Sequence, residues 1–212
     1  MNELPIIKLP KTGEKIEFSS CFFHATDGHK ASFGTDFSLK YTESHLRVDF
    51  NCLDNNFTSQ NSLKANNDPL YNQEVFEIFI TSGSNDPANY FEIELNPNNA
   101  IWLGHMSNPS LGLETVTIEK MLTDTQVGIN HSVSVANNSW AGFIEIPWGF
   151  LGKGTETNYR VNFYRIRSFK SHTDPNWVCE PSSCDFVCFS STLSGHEPAF
   201  HRPRRFAFLE LV

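Results

Sequence analysis

Four glutamates stand where carboxylates are not expected. Glu77 lies between Val75 and Phe79, Glu92 and Glu94 alternate with Phe91, Ile93 and Leu95, and Glu145 separates Ile144 from Ile146. Successive side chains of a strand point to opposite faces. Tyr90, Glu92, Glu94 and Asn96 therefore share one face, and Phe91, Ile93 and Leu95 the other. In Tyr159–Arg167 the same rule groups Arg160, Asn162, Tyr164 and Ile166 against Tyr159, Val161 and Phe163. A carboxylate flanked by Val75 and Phe79 needs a partner if it is buried. Arg160 or Arg165 could supply one, or Glu77 could meet a ligand. These residue types suit a hydroxyl-rich ligand. Glu, Asn and Arg offer planar hydrogen-bonding groups, and an aromatic ring offers a platform for C–H faces. Tyr71, Tyr90, Trp102, Tyr164 and Trp177 are the candidate platforms. Taken strand by strand, the polar face also reads as the wet side of an ordinary antiparallel sheet. The basic segment Phe200-His-Arg-Pro-Arg-Arg-Phe206 could present His201, Arg202 or Arg205 to an acidic ligand. The simpler expectation is that its charges pair with the glutamate-rich face and lock the last strand.

Other chemistries find less support. Paired carboxylates could serve glycoside hydrolysis, but the chain has no nucleophile motif, Gly-rich phosphate loop or Ser-His-Asp constellation, so it reads as a non-enzyme. A haem would need axial His, Met or Lys. His105 and Met106 follow the Trp102 strand, but adjacent residues point apart. The spacing Cys179-x4-Cys184-x3-Cys188, near His172, His196 and His201, fits no common zinc pattern. An odd total of 5 cysteines suits free thiols, or one local Cys179–Cys184 disulfide. No cofactor is expected. Calcium is the one metal left open, through Asp54-Asn-Asn56 and Asn66-Asn-Asp68, although neither loop shows a ligand pattern.

Positioning these residues falls to short alternating runs broken by Asn, Gly, Pro, Asp and Ser, the signature of an all-β domain. Strands are expected at Lys15–Phe23, Asp36–Tyr41, His45–Cys52, Glu74–Thr81, Tyr90–Leu95, Ala100–Leu103, Thr115–Met121, Val127–Val135, Trp140–Ile146, Tyr159–Arg167 and Arg205–Leu211. A helical turn is expected at Pro147–Leu151, and long loops at 53–73, 104–114 and 168–200. Strands at this spacing predict an antiparallel β-sandwich, of jelly-roll or immunoglobulin-like kind, as a single domain over residues 1–212. Many of the 19 phenylalanines are expected on the inner faces of the paired sheets, because Phe76, Phe91, Phe163 and Phe206 fall within alternating strands. The net charge of −8 argues against nucleic acid and anionic membranes, which need an excess of Lys and Arg. No apolar run approaches a membrane span, and no feature sets an oligomeric state. The N-terminus lacks the pattern of a secretory signal, which points to the cytoplasm, or to secretion if a leader has been removed. The sequons at Asn56, Asn130 and Asn137 then read as chance matches.

Five segments, in order over residues 70–211, resemble family 9 carbohydrate-binding modules and the wider DOMON-like sandwich group. They are Tyr71-Asn-Gln-Glu-Val-Phe-Glu-Ile-Phe-Ile80, Asn89-Tyr-Phe-Glu-Ile-Glu-Leu-Asn-Pro97 with Ala100-Ile-Trp102, Trp140-x4-Glu145-Ile-Pro-Trp148, Arg160-Val-Asn-Phe-Tyr-Arg165, and Phe200-His-x-Pro-x-Arg-Phe206 with Leu209. The resemblance implies a β-sandwich that binds sugar without catalysis, with Tyr71 in the place of a clamping aromatic and Glu77 in that of a hydroxyl ligand. It also shows departures. Glu94 stands where the family has an Arg two residues before the Asn at Asn96, Tyr71 stands where Trp is usual, and Phe189-Ser-Ser-Thr-Leu193 lacks a Trp common in standalone relatives. The ligand set expected from residues and resemblance together is Tyr71, Glu77, Glu94, Asn96, Trp102, Arg160, Asn162, Tyr164, His201 and Arg205. The rival expectations are a ligand-free scaffold of the same fold and a DOMON-like haem domain.

Overall fold

The structure is a computed structural model that describes residues 3–112, 116–152 and 155–212. The expected start of a strand at Thr115, and the end of the 104–114 loop, lie outside the described residues. In chain order the elements are β1 (Ile6–Leu9), β2 (Lys15–Phe18), β3 (Phe23–His24), β4 (Thr35–Tyr41), β5 (His45–Cys52), β6 (Val75–Ser82), β7 (Asn89–Leu95), β8 (Ile101–Ser107), β9 (Thr117–Met121), α1 (Asp124–Val127), β10 (Asn130–Ala136), β11 (Ser139–Pro147), α2 (Trp148–Leu151), β12 (Asn158–Ser168), β13 (Cys184–Cys188) and β14 (Ala207–Leu211). The fold is all-β, as expected.

The smaller sheet runs β10-β11-β5-β4-β2, and the larger runs β1-β14-β12-β6-β7-β8-β9. The long β12 holds two partners end to end along one edge, β14 against Asn158–Val161 and β13 against Tyr164–Ser168, while β6 pairs with its other edge. Alternation works as the sequence predicts in β5, where Leu46, Val48, Phe50 and Cys52 are buried and their neighbours are not. Phenylalanines join the two sheets. Phe50 of β5 stacks on Phe76 of β6 at 4.3 Å, and Phe37 of β4 packs on Phe163 of β12 at 4.3 Å.

The larger sheet departs from the expected pattern. Its outer face is not wet, and β6 and β12 are buried on both faces. A second apolar cluster lies there, with Val75, Phe79, Tyr90, Trp102, Tyr164, Phe200 and Phe206 among its members. Phe206 thus belongs to this outer layer and not to the space between the sheets. Two covering segments make the layer. The first, residues 53–73, is held by asparagine amides: Asn96 Nδ2 donates to Asn61 Oδ1 (3.2 Å) and to the Leu63 carbonyl (2.9 Å), and its Oδ1 accepts from the amides of Asn98 and Ala100. Asn66 and Asn67 accept from the amides of Ile101 and Leu103, and Asp54 from that of Gly34. These loop side chains serve the backbone. Among the described residues no group of three or more His, Cys, Asp or Glu is arranged to hold a metal ion.

The second segment, residues 189–206, is anchored by the polar residues of β12. Arg160 donates to the carbonyl of Phe206 (2.8 Å) and to Asp86 (3.0 Å). Asn162 donates to the Ser190 carbonyl and accepts from the Ser190 amide, both at 2.8 Å. Tyr164 donates to the Phe200 carbonyl at 3.1 Å. The Ser190, Phe200 and Phe206 carbonyls lie outside the strands, so side chains satisfy them.

Strand boundaries shift with these contacts. β1 and β13 have no expected counterpart, and the expected strand Lys15–Phe23 is broken into β2, which ends at Phe18, and the start of β3; β1, β3 and β13 are short and each is stabilised by a neighbour distant in sequence. The expected Val127–Val135 strand begins with the last residue of α1, which Thr123 caps through the Gln126 amide and which closes at Gly128 with φ of 76°. The helical turn over Trp148–Leu151 is present.

Candidate functional site

The two covering segments leave a cleft of about 390 Å³ between them on the outer face of the larger sheet. Strand register builds its floor. Tyr164, Glu77, Glu94 and Trp102 form one row across β12, β6, β7 and β8, and Asn162, Phe79, Glu92 and Gly104 form the next. Glu77, Phe79 and Glu92 line the cleft, Tyr71, Trp102, Met106 and Ile118 form one bank, and Phe186, Phe200 and His201 form the other. Tyr71 sits in a single 3₁₀ turn, Leu70–Asn72. It is 44% exposed and meets Trp102 edge to face at 6.4 Å. Gly104 makes room for that indole, since a Cβ there would stand 2.5 Å from the Trp102 ring.

The floor is electrostatically unusual. Glu77, Glu92 and Glu94 are 1%, 4% and 0% exposed. Among the described residues, Glu77 Oε1, Glu92 Oε2 and both oxygens of Glu94 have no hydrogen-bond donor. The Tyr71 amide lies near Glu94 and mildly favours its ionised form, but without hydrogen-bond geometry. Burial raises all three carboxyls, Glu92 to about 8, and mutual repulsion adds to the rise at Glu77 and Glu94. A carboxyl so placed favours its neutral form. His201 Nε2 approaches Glu92 Oε2 at 3.9 Å, the outer limit of an ion pair. Burial lowers His201 to about 4 while Glu92 is raised, so both partners are neutral near pH 7 and the contact is not a salt bridge. His201 Nδ1 is instead fixed by the Tyr90 hydroxyl at 2.8 Å.

Neither arginine expected to partner Glu77 does so. Arg160 is taken up by Asp86 and the covering segment, and Arg165 points to the opposite face, where its Nε meets Glu74 at 3.0 Å. Of the ten residues expected to contact a ligand, Tyr71, Glu77, Trp102 and His201 line the cleft. Glu94 lies beneath them, fully buried. Asn96, Arg160, Asn162 and Tyr164 anchor the covering segments, and Arg205 Nε donates to the Ser191 carbonyl at 2.8 Å. The basic segment therefore locks loops and not the glutamates. Of the remaining platforms, Trp177 packs on His172 at 4.0 Å. His105 and Met106 part as alternation requires: His105 pairs with Glu119 at 3.0 Å, and Met106 faces the cleft. The ligand set omitted Glu92, Phe79, Phe186 and Phe200. Glu92 is legible from its spacing to Glu94 and Phe79 from the face it shares with Glu77, whereas nothing local in the sequence sets Phe186 and Phe200 beside the cleft.

No protein-family model matches the sequence. An "Extracellular protein" from Arthroderma benhamiae is 28% identical over 146 residues, covering 64% of this chain and 64% of that relative's length. A proposed carbohydrate-binding protein from Bacteroides uniformis superposes with a TM-score of 0.63 at 12% identity, over 99% of this chain and 97% of that one. A family 9 carbohydrate-binding module from Caldicellulosiruptor kristjanssonii in complex with cellotriose gives 0.54 at 11% identity, over 97% and 93% of the two chains. The same kind of module in complex with glucose gives 0.53 at 11% identity, over 98% and 94%. The chain has the fold of a family 9 carbohydrate-binding module. Among the described residues no helix is long and apolar enough to cross a membrane.

Proposed function

We propose that this chain binds a carbohydrate in the cleft between Trp102 and Phe200 and does not cleave it. The observation that carries the reading is the pairing of aromatic banks with an unsatisfied polar floor, Glu77 and Glu92, at the bottom of a cleft. Carbohydrate sites combine these features, since C–H faces stack on rings while hydroxyls need hydrogen-bond partners. The solved modules of like fold hold cellotriose and glucose, which supports the class of ligand.

Catalysis fits poorly. A glycosidase places two carboxyl groups on either side of the scissile bond, one of them ionised. Here three stand side by side on one sheet face, and burial drives all of them toward the neutral form.

Titrating a panel of mono- and disaccharides while following tryptophan fluorescence tests the reading. A saturable change is expected, with Trp102→Ala weakening binding about tenfold, as for an aromatic platform worth about 1.4 kcal/mol. Silence across the panel from folded protein would refute sugar binding. For location we adopt the extracellular reading carried by the name of the Arthroderma relative over the cytoplasmic expectation. The exposure of all three sequon asparagines, Asn56, Asn130 and Asn137, agrees with it.

A further inference from the structure

The floor of the cleft holds Glu77 and Glu92, with Glu94 buried beneath them, and among the described residues no Lys or Arg. Glu77 and Glu94 are direct cross-strand partners, and Glu92 follows on the same face of β7. Among the described residues no Lys or Arg lines the cleft, and no positive group contributes to the shifts of the three glutamates. The buried arginines are spent elsewhere, Arg160 on Asp86 and Arg165 on Glu74, and His201 is held neutral by burial. Natural proteins rarely bury carboxyls without partners. Glu77 is 1% exposed, its Oε1 has no donor, and it lines the cleft. Glu92 does the same from the neighbouring strand. Two buried acceptors of one charge type therefore open into one aromatic-banked cavity.

Building on the carbohydrate reading, we infer that the preferred ligand is an amino sugar with a free ammonium, of glucosamine type, its nitrogen held by Glu77 and Glu92. An ammonium has three donors and no acceptor, which complements carboxylate oxygens that lack donors. The banks reinforce the choice, because the faces of Trp102, Tyr71 and Phe200 attract a cation over their rings. Uronic acids and sugar sulfates or phosphates fit less well, because the cleft offers carboxyls and, among the described residues, no Lys or Arg to pair with their charge. A metal ion fits less well, since calcium wants six to eight oxygens and the banks are largely carbon. When the ammonium enters, one floor carboxyl gives up its proton to solvent and pairs as carboxylate with the retained –NH3+. Binding thus releases a proton that a neutral sugar would leave in place.

The test compares three disaccharides of one β-1,4 backbone by calorimetry on the full chain: cellobiose, the glucosamine dimer and its di-N-acetyl form. They differ at C2, as hydroxyl, ammonium and acetamide. The glucosamine dimer is expected to bind at least about tenfold more tightly than the other two, the range of one charge-assisted pair. Its heat of binding is expected to change with the ionisation enthalpy of the buffer. Glu77→Gln and Glu92→Gln, matched in size and checked for folding by circular dichroism, are each expected to bring the ratio between the dimers close to one. Equal or tighter binding of cellobiose or the acetylated dimer would overturn the amino-sugar inference and leave the carbohydrate reading standing. Binding of none of the three by folded protein would overturn both.

Discussion

At the scale of single residues the informative groups are those the fold fails to satisfy. Glu77, Glu92 and Glu94 are buried among Phe79, Trp102 and Tyr164, and among the described residues Glu77 Oε1, Glu92 Oε2 and both Glu94 oxygens have no hydrogen-bond donor. The result is a pH dependence opposite in sign to that of paired carboxylates. Above pH 4.5 the unfolded glutamates lose their protons, while Glu92 in the folded chain keeps its proton up to about 8. The unfolded state then binds fewer protons, and stability falls as pH rises. Below pH 6.5 the half-buried His131, His172 and His201, all lowered by desolvation, act the other way, because the unfolded state takes up protons that the folded state resists. The window for the glutamates is therefore pH 6.5 to 8, where His29, raised by its bond to Asp27, adds to the fall and Cys184, lowered by its contact with Cys179, opposes it. Across it stability should drop on the order of 2 kcal/mol, or roughly 5 °C in Tm. Thermal melts at the two ends measure this, and Glu92→Gln should flatten the slope. A Tm that rises toward pH 8 in the wild type would contradict neutral floor carboxyls.

Elements show why so much polar sequence near the site is structural. β12 is an anchoring strand on both of its faces. Outward, Arg160, Asn162 and Tyr164 hold the covering segment. Inward, Arg165 donates to Glu74, to the Gly34 and Leu53 carbonyls and to Thr35 Oγ1. Glu74 in turn accepts from Trp140 Nε1 of β11 at 2.9 Å and from the Ser168 amide at 3.2 Å. One buried ion pair thus ties strands of both sheets together. Removing half of such a pair leaves a buried charge with no counter-ion. Glu74→Gln should cost about 3–5 kcal/mol, read as a shift of the denaturation midpoint in urea. A change below about 1 kcal/mol would mean that the carbonyl ligands alone satisfy Arg165. Alternation made the facing of Arg160, Asn162 and Tyr164 readable, because period-2 geometry is local. Their partners were not readable, because the carbonyls of Ser190, Phe200 and Phe206 lie 28, 36 and 46 residues away.

At the scale of the whole molecule the sandwich covers one of its own outer faces, and the exposed chain presents its asparagines elsewhere. Asn56 lies in the first covering segment, Asn130 on edge strand β10, and Asn137 in the β10–β11 turn, all exposed. Expression through a eukaryotic secretory route should therefore add glycans at Asn56 and Asn137, seen as a mass shift reversed by a peptide glycosidase. Asn130 should be modified least, because its Nδ2 is engaged by Glu145 at 2.9 Å. Unmodified secreted protein would contradict the extracellular reading of these sequons. The sequence alone settled the all-β class and the facing of most strand residues, since alternation needs no knowledge of distant contacts. It also picked out Tyr71, Glu77, Trp102 and His201. The three-dimensional packing settled the rest. It turned a face that looks wet into a buried one, assigned Arg160, Asn162 and Tyr164 to loop backbone, and left Glu77 and Glu92 facing a cavity that no Lys or Arg lines among the described residues. Burial and pairing depend on which loops fold over a strand, and that is fixed by contacts between residues remote in the chain.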